Sequence, residues 1–185
     1  LYTSREIVHQ VNDAGVEVMI VMSNFYKSIK DVQPTTSIKK IIVTNIKETL
    51  PPVTAFLFTL LKEKKAGFRV ELEEGDVWWE DFVAPYTAKD RPQVDVGPDD
   101  VAIFQYSGGT TGTPKGAIAL HRNLVANSLQ IRRWMPNAID GEEVVLMAIP
   151  LYHVYGMVAG MLFGMAVGAA LVMVPNARDI KDDLD

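Results

Sequence analysis

The 185-residue chain contains no cysteine. Disulfides, thiolate metal sites and a cysteine nucleophile are therefore excluded, and the absence fits a reducing compartment. No basic segment followed by an apolar core and a small-residue cleavage site is present, so no signal peptide is in view. A formal net charge of −5 argues against nonspecific nucleic-acid binding. Two further absences are local. Residues 101–139 lack Asp and Glu but carry Lys115, Arg122, Arg132 and Arg133, after a strongly acidic stretch over 71–100. An anionic ligand would be drawn there, although the arginines also suit solvated helix positions. Residues 144–174 lack Asp, Glu, Lys and Arg altogether.

The most restricted composition lies in residues 106–117, YSGGTTGTPKGA, between the apolar runs 101–104 and 117–120. A strand, a tight polar loop and a second extended segment is the simplest reading. Gly108, Gly109 and Gly112 allow positive φ and leave backbone N–H groups free to converge on one concavity. Ser107, Thr110, Thr111 and Thr113 add hydroxyl donors, Pro114 stiffens the exit, and Lys115 adds a mobile positive charge. Many donors with few competing acceptors suit the oxygens of a phosphate chain. The Walker pattern fails, because Pro114 precedes and Gly116 follows Lys115. A GxGxxG dinucleotide turn and the kinase signatures are also absent. A Gly/Thr-rich surface turn is the plainer alternative.

The stretch YSGGTTGTPKGA resembles the signature loop of the adenylate-forming superfamily, which includes acyl- and aryl-CoA synthetases, luciferases and peptide-synthetase adenylation domains. Residues 150–156, PLYHVYG, are similar to that family's PLFHxxG segment, and the opening LYTSREIVHQVNDAGVEVMIV resembles fatty acyl-CoA synthetases in particular. The resemblance spans the whole chain. It implies an α/β fold, a mostly parallel sheet with helices on both faces, forming part of the large N-terminal domain of an acyl-CoA synthetase. The expected parts are an α/β unit over 1–48, peripheral helices and a linker over 49–100, and the phosphate-loop strand, a helix and a β-α-β unit over 101–185.

Along the chain, a helix from Thr3-Ser4-Arg5-Glu6 to Gly15, a strand over 16–22, a helix from Asn24 to about Val32 and a strand over 38–43 alternate. Fully apolar strands between helices indicate a parallel sheet. After Pro51-Pro52, Val53, Phe56, Leu57, Leu60 and Leu61 form one stripe with lysines following. This is either a peripheral helix covering the sheet or a membrane-proximal or acyl-channel helix. Residues 77–82 suggest a short amphipathic helix, 87–100 a connecting loop, and 121–134 a helix with Leu124, Val125, Ile131 and Trp134 inward. The uncharged run 144–174 is long enough to span a bilayer, and Gly156, Gly160, Gly164 and Gly168 fall four apart. Pro150 and Tyr152-His153 divide it, however, so a buried β-α-β unit is expected, strands over 144–149 and 169–174 flanking a helix over 154–167. His9 is expected to face solvent. His153, after a strand's C-terminal end, is either a satisfied core histidine or a site residue.

The resemblance implies a two-step ligase, taking a fatty acid, ATP and coenzyme A to acyl-CoA, AMP and pyrophosphate through an acyl-adenylate. Lys115 and His153 would be catalytic. Ser107, Gly108, Gly109, Thr110, Thr111, Gly112, Thr113, Lys115 and Gly116 would hold ATP, and Tyr152, His153 and Gly156 would line the substrate site. Mg²⁺ would arrive on the phosphates, with no protein metal ligand in this stretch. Aryl or other carboxylates, or a noncatalytic nucleotide-binding module, are the alternatives. No YGxTE glutamate, TGD aspartate or mobile C-terminal domain is found, so the 185 residues read as a piece of a longer enzyme that alone is expected neither to adenylate nor to bind ATP tightly. The expected location is cytoplasmic, with peripheral membrane contact.

Overall fold

The structure is a computed structural model that describes residues 2–107 and 114–174. Contacts divide these into two compact units, residues 2–94 with 114–116, and residues 95–107 with 117–174.

The first unit is built on a parallel sheet. Helix α1 (Ser4–Asp13) opens on a reciprocal cap, in which the Thr3 N–H donates to Glu6 Oε2 at 2.7 Å and the Glu6 N–H to Thr3 Oγ1 at 3.4 Å. Strand β1 (Val18–Met22), helix α2 (Ser23–Val32) and strand β2 (Lys40–Thr44) follow. Val18 lies opposite Lys40 and Met22 opposite Thr44, so β1 and β2 run parallel in full register. In β2, Ile41, Ile42 and Val43 are all buried, as a strand covered on both faces requires. Ile41 and Val43 pack with Val11, Tyr26, Ile29 and Ile38. Each such side chain contributes about 1.5–3 kcal/mol on burial.

Two elements depart from the expectations. Val77 and Trp78 form a third strand, β3 (Val77–Trp78), parallel to β2 through Ile42 and Val43, and only then does the chain turn into α4 (Trp79–Val83). Trp78 is thus a sheet residue and Trp79 the first residue of the helix. In helix α3 (Pro52–Leu61), the stripe of Val53, Phe56, Leu57, Leu60 and Leu61 faces outward, 48–73 % exposed, whereas Ala55, Phe58 and Thr59 turn inward. The reason lies just past the helix. Phe58 stacks edge-on against Phe68 with centroids 5.6 Å apart, and Arg69 donates to the Thr59 carbonyl at 3.2 Å. Glu63, 4 % exposed at its side chain, accepts from Lys47 at 2.7 Å, from Arg69 Nε and Nη2 at 3.2 Å each, and from the buried Asn45 amide at 3.3 Å. Burial pushes the Glu63 carboxyl up, but Lys47 and then Arg69 outweigh it and hold the group below its ordinary range. These anchors set the rotation of α3.

A second buried carboxylate ties the segment before β3 to α2. The Tyr26 hydroxyl donates to Asp76 at 2.6 Å and accepts the Glu73 N–H at 2.8 Å, while Lys30 donates to Asp76 at 2.9 Å. Desolvation, then the bond to Asp76, pushes the Tyr26 hydroxyl up, and Asp76 likewise raises Lys30.

The second unit holds the β-α-β arrangement. Strand β6 (Val144–Met147) and strand β7 (Ala170–Met173) pair in parallel, Val144 opposite Ala170. Between them lies a π-helical segment, Gly156–Leu162, running into helix α6 (Phe163–Val167). No helix among the described residues is long and apolar enough to cross a membrane. The four-residue glycine spacing serves close packing: a Cβ on Gly164 would strike Leu171, and one on Gly160 would strike Met147. Gly168, at φ +67°, ends the helix in the left-handed region. Helix α5 (His121–Trp134) buries Ser128, with Leu124 and Ile131 half-buried. Val125 and Trp134, expected inward, are 57 % and 84 % exposed, because the buried side of the helix runs through Leu124, Ser128 and Ile131, from which both positions are turned away.

Candidate active site

Strand β4 (Val101–Ser107) and strand β5 (Lys115–Leu120) pair in a two-stranded sheet and carry the glycine-threonine loop between them. Ser107 ends the incoming strand and Lys115 starts the outgoing one, so seven residues connect them. Gly108, Gly109, Thr110, Thr111, Gly112 and Thr113 lie outside the described residues. Gly116 follows in β5, half-buried.

The exit of the loop is fixed from an unexpected direction. His9 on α1 is half-buried, and its Nε2 lies 2.8 Å from the Pro114 carbonyl oxygen, to which it donates. The expectation of a solvent-facing His9 is therefore corrected. Nothing in the local sequence signals a contact across 105 positions. Beside this tether the Lys115 side chain is exposed and makes no ion pair among the described residues. The other cations of the acid-free stretch differ. Arg122 pairs with Asp99 at 2.5 Å, and Arg132 with Asp140 at 3.2 Å, both acids lying just outside that stretch. Lys115 thus keeps its charge available while two of the arginines are committed to structure.

The PLYHVYG segment sits after β6. The His153 N–H donates to the Pro150 carbonyl at 3.0 Å, closing a turn that leaves Tyr152 84 % exposed. His153 is also exposed, so it is not a satisfied core histidine. Its Nδ1 accepts the Tyr155 N–H at 3.2 Å, which assigns the proton of the neutral ring to Nε2. That Nε2–H has no partner among the described residues and is free to donate to an oxygen. Gly156 is buried against the turn: a Cβ there would lie 2.6 Å from the Pro150 carbonyl oxygen and 2.9 Å from that of Ile149. Beyond the turn, a cavity of about 630 Å³ is lined by Ile131, Trp134, Val145, Tyr155, Ala159 and Phe163, among others. No cluster of three or more His, Asp or Glu that could hold a metal occurs among the described residues.

The family pattern described as AMP-binding enzyme matches residues 1–185. The chain belongs to that family. Among the members it resembles, the long-chain-fatty-acid–CoA ligase of Salmonella typhimurium is 33 % identical over 97 % of this chain and 32 % of that protein. The ligase of the same name from Bacillus subtilis is 28 % identical over 95 % of this chain. The chain thus spans about a third of the length of the curated relatives it matches. A 4-coumarate–CoA ligase of Nicotiana tabacum is also similar, at 28 % identity over 94 % of this chain and 28 % of that protein. The fold is that of solved family members. An anthranilate CoA ligase bound to anthranoyl-AMP superposes over the whole chain and 31 % of its own, with a TM-score of 0.73 at 20 % identity. ATP-bound MatB from Rhodopseudomonas palustris covers 95 % of the chain and 29 % of its own, with a TM-score of 0.63 at 19 % identity.

Proposed function

We propose that this AMP-binding enzyme segment belongs to an ATP-dependent fatty-acid–CoA ligase. The observation that carries the reading is Lys115, an exposed ammonium with no ion-pair partner among the described residues, at the exit of the glycine-threonine loop. In the first step an oxygen of the ionised carboxylate forms a bond to the α-phosphorus of ATP. The bond from that phosphorus to the bridging oxygen breaks, and pyrophosphate leaves with the negative charge. Backbone N–H groups and hydroxyls of residues 107–113, with Lys115, hold the phosphate chain and stabilise that charge by position. The magnesium ion travels on the phosphates. In the second step the thiol of coenzyme A attacks the acyl carbon, and AMP departs.

His153 supplies a directed donor. With Nδ1 occupied by the Tyr155 N–H, its Nε2–H orients an oxygen of the carboxylate or of the α-phosphate. No base is needed, because a fatty carboxylate is already ionised near neutral pH. Tyr152 and Gly156 complete this part of the substrate site: the first is exposed on the turn, the second small enough to let the helix start against it. The cavity beside Tyr155 has an apolar side formed by Ile131, Val145, Ala159 and Phe163, which suits an alkyl chain, and a polar side with Asn137 and Glu143. The fatty-acid relatives favour an alkyl substrate, and the coumarate ligase supports an aryl carboxylate as the second reading. A cytoplasmic location, where ATP and reduced coenzyme A are both at hand, goes with either.

The test is carboxylate-dependent ATP–pyrophosphate exchange by the full-length protein across palmitate, 4-coumarate and anthranilate. Exchange with palmitate is expected. Exchange with an aryl acid alone would move the assignment to the second reading, and none with any carboxylate would overturn both.

A further inference from the structure

The bond from His9 to Pro114 acts on one peptide unit. The Pro114 carbonyl oxygen, 2.8 Å from His9 Nε2, belongs to the same planar amide as the Lys115 N–H. The proline ring sets φ at residue 114 to about −65°. Holding the carbonyl oxygen restrains ψ as well. With both soft dihedrals of Pro114 constrained, the amide that leads into Lys115 points one way, and the lysine starts strand β5 from a defined place.

The donor stands on a helix held at both ends. Thr3 and Glu6 cap each other at the start of α1. Towards its end Val11 is buried in the core with Tyr26 and Ile29. The Asn12 side-chain amide then donates to the Thr35 carbonyl at 3.0 Å, and its oxygen accepts the Ser37 N–H at 2.9 Å. His9 lies between these anchors. The core cluster itself includes neither His9 nor any of residues 114–116, so the bond is not what holds the sheet together. Lys115 makes no ion pair among the described residues, so no carboxylate there fixes its side chain. Its backbone is what the fold holds, and His9 does part of the holding.

We infer that His9 is a positioning residue for adenylation: by holding the Pro114 carbonyl it sets the Lys115 ammonium where charge develops on the departing pyrophosphate. This rests on the ligase reading above. A cation placed in advance stabilises the transition state without reorganising, so losing the placement lowers kcat more than it raises the KM for ATP.

The experiment is ATP–pyrophosphate exchange by the full-length protein with palmitate, or with 4-coumarate or anthranilate if that acid supports exchange instead. His9→Phe keeps a ring in the half-buried position and deletes the donor, whereas His9→Gln restores an N–H at a similar reach. His9→Phe is expected to lower kcat about three- to tenfold, the range that one hydrogen bond to a neutral acceptor controls. The KM for ATP should change by about twofold or less, the thermal midpoint should stay near that of the wild type, and His9→Gln should recover most of kcat. In a Lys115→Ala background, His9→Phe should cost about twofold or less, because the ammonium it places is gone. Unchanged kcat in His9→Phe, a loss that His9→Gln does not repair, or additive losses in the double variant would each overturn the inference and leave Lys115 in the phosphate site. No exchange with any of the three acids, or unchanged exchange in Lys115→Ala, would instead overturn the reading beneath it, and the inference with it.

Discussion

Glu63 offers the sharpest test of how the first unit is held together. The perturbation is Glu63→Gln, which keeps the shape and removes the charge. In the folded protein the carboxylate accepts one bond from Lys47, two from Arg69 and one from Asn45. Hydrogen bonds to a charged group contribute about 1.5–3 kcal/mol each when considered alone. The net effect is smaller. The Lys47 and Arg69 side chains are 39 % and 54 % exposed and regain water when released, and the variant is spared the cost of burying an ion. The expected loss is therefore about 1–2 kcal/mol for Gln, and about 2–4 kcal/mol for Glu63→Ala, which also leaves a void. Amide hydrogen exchange of peptides covering residues 40–70 in the full-length protein localises the effect: protection should fall about 5–30-fold in Glu63→Gln near neutral pH. The pH dependence fixes the sign. A carboxyl held below its unfolded value of 4.5 stabilises the fold above that value, and the contribution is lost as pH falls through the lower folded value. The gap between wild type and Glu63→Gln, corrected for intrinsic exchange rates, should close in that acid range. Equal protection near neutrality, or a gap that persists undiminished in acid, would refute the account.

Lys115→Ala in the full-length enzyme should lower the efficiency of ATP–pyrophosphate exchange about 10–100-fold, from one lost charge-assisted contact; an unchanged rate would remove Lys115 from the phosphate site. His9→Ala should weaken the tether to Pro114 by about 1 kcal/mol, seen as faster amide exchange over residues 114–120, with His9→Gln restoring part of the protection. Gly156→Ala should cost about 2–3 kcal/mol in thermal unfolding, because its Cβ meets two backbone carbonyl oxygens. Gly160→Ala should cost about 1 kcal/mol, since the Met147 thioether it meets has rotatable bonds with which to yield; a larger cost at Gly160 than at Gly156 would contradict this ordering.

The alternation of helices and apolar strands was legible because each local pattern agreed with the layer it enters: β2 is buried on both faces, and residues 144–174 fold as strand, helix and strand. Pro150 and the Tyr152-His153 pair broke the run in the sequence, and the four-residue glycine spacing within it serves packing against Met147 and Leu171. What sequence missed depends on contacts distant along the chain. The outward rotation of α3 follows from Glu63, Arg69 and Phe68, none of which alters the apolar period of the helix itself. The strand at Val77–Trp78 is two residues long and pairs with Ile42 and Val43, 35 positions earlier, beyond the reach of any local window. His9 has a polar neighbourhood in sequence and a backbone partner only in space. In the candidate site, the charge of Lys115 was visible in the residues, whereas its lack of an ion pair among the described residues and the tautomer of His153 needed the structure to define them.

The link between His9 and Pro114 also bears on the order in which the molecule is assembled. Its two ends are 105 positions apart, so the contact closes a long chain loop and is rewarded only after much of the intervening polypeptide has been confined. The parallel pairing of β1 with β2 spans far less chain and is available sooner. The exit of the glycine-threonine loop should therefore be among the last parts to settle, and pulsed amide labelling during refolding should protect residues 40–44 before residues 115–120.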